Sequence, residues 1–134
     1  MPQTLHALAL LVRDYDEAIA WYTQTLGFEL LEDTALTPEK RWVRVGPAGS
    51  QAGSGAGLLL ARATTAEQVS RIGNQTGGRV FLFLHTTDFW IDYHALQSRG
   101  VVFREAPRAE TYGHVVVFAD LYGTLWDLVE RSDG

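Results

Sequence analysis

Cysteine is absent from the 134 residues. That excludes disulfides, cysteine-ligated zinc and a catalytic thiol. Lysine is nearly absent too: of eleven basic residues only Lys40 is not arginine, and the arginines are scattered from Arg13 to Arg131. With sixteen acidic residues the formal net charge is -5. A nucleic-acid partner is therefore not expected, since a nucleic-acid binder needs a basic face to displace counterions. No apolar run approaches the ~18 residues that cross a bilayer, and the opening "MPQTLHALAL" lacks the basic n-region of a secretory signal. The expectation is a cytoplasmic protein with no membrane association. What the chain does have is 46% hydrophobic and 20% charged residues, enough to bury a core in one ordinary domain.

The patterning gives alternating strands and helices. "LHALALLV" reads as a strand covered on both faces. "RDYDEAIAWYTQTLGF" reads as a helix capped by Asp14 or Asp16, with Ile19, Tyr22 and Leu26 at helical spacing and Gly27 ending it. "FELLEDTAL", "RWVRVGP" and "LLLARA" follow as strands. The segment Gly46–Gly57 reads as a flexible loop; it lacks the GK[ST] continuation of a phosphate loop and leads into a strand. "TTAEQVSRIGNQTGG" reads as a short helix opened by a Thr capping box and closed by a glycine-rich link. Then the order repeats. "RVFLFLHT" is a strand and "DFWIDYHALQSRG" a helix capped by Asp88 and ended by Gly100. "VVFREAP", "HVVVFAD" and "LWDLVER" are three strands. Asp14 and Asp88, and Gly27 and Gly100, occupy matching places, so the chain carries an internal repeat of about 73 residues. The expected class is α+β, with module one at about 4–63, a linking helix and loop at 64–78, and module two at about 79–131.

Two stretches carry a resemblance. "ALLVRDYDEAIAWYTQTLGFEL", with its Asp cap, the pair Trp21–Tyr22 and Leu-Gly-Phe at 26–28, resembles the opening of the vicinal oxygen chelate superfamily. That group includes glyoxalase I, bleomycin-resistance proteins and extradiol dioxygenases. "VFADLYGTLWDL" is similar to its closing F-x-D-P-x-G-N-x-x-E-L pattern through Phe118, Asp120, Gly123 and Leu128; Leu121 replaces the Pro and Thr124 the Asn. The resemblance implies two βαβββ modules forming a curved, partly open mixed sheet with a cleft, and a homodimer. It also implies a divalent metal, such as Zn, Ni, Mn or Fe, held by a His on the first strand, a His on the first strand of the second module and a Glu on the last strand.

The matching positions are Ala7, Phe81 and Asp127. Only Asp127 is a potential ligand, and a single carboxylate does not hold a catalytic ion. The expectation is therefore a cleft without a cofactor. A displaced site of His85, His114 and Asp127 is the alternative; His94 reads as an exposed helix residue. By strand parity Ala7, Ala9 and Leu11 face the cleft, as do Phe81, Phe83 and His85, and Leu125, Asp127 and Val129. Trp42, Tyr112 and His114 are further candidates for ligand contact. Trp126 alternates with Asp127 and should point to a helix. Arg44 and Arg79 are possible partners for Asp127, and the aromatics could instead simply fill the core. Three functions follow: a metal-independent binder of a small, partly aromatic or cationic molecule; a lyase, isomerase or dioxygenase using a displaced metal or acid–base chemistry; or a dimerising, regulatory module.

Overall fold

The computed structural model describes residues 1–49 and 56–130. Residues 50–55 of the expected flexible loop in Gly46–Gly57, and Arg131 of the last expected strand, lie outside the described residues. The chain forms two compact units, Met1–Ile72 and Gly73–Gly134.

In the first unit, strand β1 (Ala7–Val12) leads into helix α1 (Tyr15–Ala20), then β2 (Glu29–Ala35), β3 (Arg41–Gly46), β4 (Gly57–Arg62) and helix α2 (Ala66–Arg71). The four strands form one sheet in the order β1-β4-β3-β2, with β1 and β4 parallel and the other pairs antiparallel. The Asp14 carboxylate caps α1 by accepting from the Glu17 N–H at 2.8 Å. The acids Asp16 and Glu17 lie in the first turn, where the helix dipole favours them. The helix then widens: Trp21–Thr25 is a π-helical turn, closed by the Leu26 N–H on the Trp21 carbonyl at 3.0 Å. The sequence predicts a regular helix here. The difference has a local cause, because the Thr23 hydroxyl donates to the Ile19 carbonyl at 2.7 Å and competes for the acceptor that a regular turn gives to the Thr23 amide. One face of the sheet packs under this helix through Leu10, Val12, Val43, Val45 and Leu60, all fully buried, as are Ala18 and Tyr22 of the helix. Each large side chain buried in this way contributes ~1.5–3 kcal/mol.

The second unit repeats the plan. Strand β5 (Leu82–Thr86) precedes helix α3 (Phe89–Ser98), and β6 (Val102–Phe103), β7 (Arg108–Glu110), β8 (Gly113–Ala119) and β9 (Leu125–Glu130) follow. Its sheet runs β5-β9-β8-β6, with β7 also on β8 and only β5–β9 parallel. Asp88 caps α3 on the Ile91 amide, and Gly100 ends it at φ +88°, as Gly27 ends the first helix at +87°. The sequence predicts one strand over "VVFREAP"; the structure splits it. Arg104 still donates to the Val117 carbonyl, but the Glu105 side chain takes the Val117 N–H at 3.2 Å, so the backbone leaves β8 and rejoins it at Arg108. The helix side of this sheet is aromatic: Phe118 stacks with Trp126 at 5.8 Å, and Tyr93 lies 4.6 Å from Phe103. Trp126 thus points to the helix side, as its alternation with Asp127 predicts.

Candidate functional site

In each unit, one sheet face carries the helix and the other does not. On the helix-free face of the first sheet, register aligns Ala7 with Gly57 and Ala9 with Leu59, and Leu59 with Arg44. Trp42, two residues from Arg44, shares that face by parity. A β-bulge between Leu30 and Glu32 shifts the β2 register by one, so Glu32 rather than Leu31 stands opposite Arg44. The Glu32 carboxylate accepts from Arg44 Nε at 2.5 Å and from Trp42 Nε1 at 3.4 Å. Hydrogen bonding from Arg44 is the main cause that holds the Glu32 carboxyl below the usual glutamate range. His6, at the strand end, brings Nε2 to 3.6 Å from the same oxygen. Arg44 lies over Gly57, where a Cβ would meet its Nη1 at 2.7 Å. This cluster escapes sequence reasoning because the bulge inverts the parity of β2.

Beside the cluster, at the far end of β1 and β4, lies a pocket of about 380 Å³. Leu11, Leu59, Ala61 and Trp42 supply its apolar surface, and Glu39, Lys40 and Gln68 its polar rim. Its arginines are engaged. Arg41 pairs with Asp33 at 2.7 Å and Asp16 at 2.9 Å, which raises its already high pKa further, chiefly through Asp33. Arg62 donates to the Glu39 carbonyl at 2.9 Å. The Tyr15 ring holds the two guanidinium carbons at 5.2 and 5.8 Å.

On the helix-free face of the second sheet, Phe83 stands beside Asp127 and His85 beside Val129, while Val117 flanks Asp127 on the other side. Phe83 is 64% exposed, and Ala9 in the first unit is exposed as well. Neither is a filled core position. Asp127 has a buried Oδ1 with no hydrogen-bond partner among the described residues. Burial pushes its carboxyl above the usual aspartate range; Arg108 opposes the shift and Glu105 adds to it. Arg44 is committed to Glu32, and neither it nor Arg79 bonds Asp127.

The structure thus gathers Ala7, Ala9 and Trp42 on one face, and Phe83, His85 and Asp127 on another, with Phe81 at the entrance of β5. It does not gather His114 with them. Val115 pairs with Val129 on the Asp127 face, so His114, one residue earlier, points the opposite way. Its ring sits 5.1 Å from Trp90 and 5.5 Å from Phe89, and its Nδ1 lies 2.9 Å from Glu130 Oε1. The displaced trio of His85, His114 and Asp127 therefore fails on strand parity. Among the described residues, no three His, Asp or Glu side chains are grouped to hold a metal ion. Tyr112 is exposed in the turn before β8, and His94 is exposed on α3 beside Trp90.

No helix among the described residues is long and apolar enough to cross a membrane. The family model for the Glyoxalase/Bleomycin resistance protein/Dioxygenase superfamily matches residues 4–128. An uncharacterised protein of Shewanella frigidimarina is 53% identical over 134 residues, covering 99% of this chain and 97% of its own length. Among solved structures, UcmS2 superposes with a TM-score of 0.81 at 27% identity, over 96% of this chain and 98% of its own. TnmS3, an antibiotic binding protein from Streptomyces sp. CB03234, superposes at 0.76 with 27% identity over 98% of both chains. With a strand-helix-sheet plan in each unit, the second carrying one strand more because its expected third strand is split, and a model match over residues 4–128, the chain belongs to the glyoxalase/bleomycin resistance protein/dioxygenase superfamily.

Proposed function

We propose that this protein binds a small, partly aromatic or cationic molecule without a metal ion. The observation that carries the reading is the Trp42 pocket. Its volume of about 380 Å³ and its apolar floor of Leu11, Leu59 and Ala61 suit a small ligand. The Trp42 ring offers a stacking surface, and the Glu39 carboxylate at the rim suits a cationic substituent. Ala7 and Phe81 at the ligand positions of the resembling metalloenzymes support the metal-free form. The likeness to TnmS3, described as antibiotic binding, supports the ligand class. A homodimer remains the proposed assembly.

A thermal-shift panel of planar aromatic and cationic compounds tests the proposal. Saturable stabilisation by at least one planar compound is expected; no shift across the panel contradicts it. Stoichiometric zinc, nickel, manganese or iron that disappears in Asp127→Ala would overturn the metal-free form. One observation favours a second reading, acid–base catalysis: the unpartnered Asp127 carboxyl with its raised pKa. An activity that survives in Asp127→Asn would dismiss that role.

A further inference from the structure

A second, smaller pocket lies wholly within the second unit and is untouched by the function above. It has a volume of about 120 Å³, room for several waters at about 30 Å³ each. The glycine-rich segment ahead of β5 forms one wall and the turn before β9 the other. Gly73 fixes their closeness, since a Cβ there would lie 2.0 Å from the Tyr122 carbonyl oxygen.

Two features mark this pocket. None of its ten lining residues is acidic, yet Arg79 and Arg104 both line it. In a chain of net charge -5, Arg13, Arg41, Arg44 and Arg108 all pair with carboxylates. The side chains of Arg79 and Arg104 make no ion pair or hydrogen bond among the described residues. The second feature is Thr124, which also lines the pocket. The residue is 3% exposed, and its hydroxyl has no hydrogen-bond partner among the described residues. A buried hydroxyl left unmatched is costly unless something else accepts from it. The turn holds it there: Asp120 Oδ1 accepts from the Thr124 and Tyr122 amides, each at 2.9 Å.

We propose that this pocket binds a tetrahedral oxyanion of the phosphate type. Two guanidinium forks and one hydroxyl supply donors and positive charge, which a multi-oxygen anion matches better than a neutral ligand does. The apolar edge of Phe81 and Leu125 bounds the site.

The test is phosphate titration of the full chain by thermal shift and calorimetry, at ionic strength held constant with chloride. The wild type should show saturable, millimolar binding. Arg79→Gln and Arg104→Gln should each weaken it about tenfold, the loss of one charge-assisted hydrogen bond. Thr124→Val keeps the shape and removes the hydroxyl. It should raise the melting temperature in chloride and lose part of the gain that phosphate gives, so a stable fold and a lost site are read separately. Methyl phosphate run in parallel separates the sources: tighter binding marks an esterified ligand and weaker binding the free anion, both within the proposal. No saturable effect beyond chloride, or variants that bind phosphate as the wild type does, would overturn it.

Discussion

Asp127→Asn should make this protein more stable at neutral pH. In the wild type, Oδ1 is buried without a partner among the described residues, between Phe83 on β5 and Val117 on β8. Burying a charged oxygen without a partner costs ~1–3 kcal/mol more than burying the neutral amide oxygen that asparagine would leave in its place. Asp127 is only half-buried and Arg108 attracts it, so the lower end, ~1 kcal/mol, applies. The cost belongs to the charged form, which fixes its pH dependence. Burial raises the folded pKa above the unfolded value of 3.8. The folded state then holds the extra proton, and stability falls as pH rises through the window between those two values. Asparagine carries no charge at any pH. The variant should therefore gain ~1 kcal/mol at neutral pH and lose most of that gain below pH 3.8. Urea unfolding at both pH values reads this directly. A variant less stable than wild type at neutral pH would refute the reasoning, because the carboxylate would then be making a favourable interaction. A gain that persists undiminished in acid would refute the electrostatic part.

Other consequences follow from single residues. Gly73→Ala places a Cβ 2.0 Å from the Tyr122 oxygen at φ +79°, whereas Gly77→Ala at φ +68° meets nothing within 4 Å. The second should cost ~1 kcal/mol for its left-handed backbone, and the first at least ~2 kcal/mol more for the clash. Melting temperatures should differ accordingly, by ~3–4 °C per kcal/mol; equal costs would dismiss the contact. The carboxyls of Glu32, lowered chiefly by Arg44, and Glu130, lowered chiefly by the His114 amide, sit below the usual glutamate value of 4.5. Their contribution is present above that value and lost as pH falls through the folded values. Glu130→Gln should flatten the acid limb of the stability curve; an unchanged limb would contradict the pairing.

The repeat was legible because its punctuation is chemical. Asp14 and Asp88 cap helices, and Gly27 and Gly100 end them at φ near +90°, where only glycine is at ease. Strand parity correctly separated Trp126 from Asp127. Residue type misleads in one place and parity in another. At His114 the residue type suggested a ligand, but parity with Val115 sends it under α3 beside Trp90. At Glu32 a bulge inverts the alternation, so its pairing with Arg44 could not be read from spacing. The Trp42 pocket is only half visible in the sequence: it takes Trp42 and Leu11 from the cleft candidates, while Glu39, Lys40 and Gln68 arrive from the β2–β3 turn and α2. The arginine pocket was not visible at all, because Arg79 and Arg104 lie 25 residues apart in the sequence and only the fold brings them to one cavity.

The most direct test of the binding account is calorimetric titration of wild type and Trp42→Ala with the planar aromatic compound that stabilises the protein best. The account predicts one saturable site in the wild type and a loss of at least ~30-fold in the variant, the ~2 kcal/mol of an anchoring tryptophan. Equal affinity in the two proteins would contradict it.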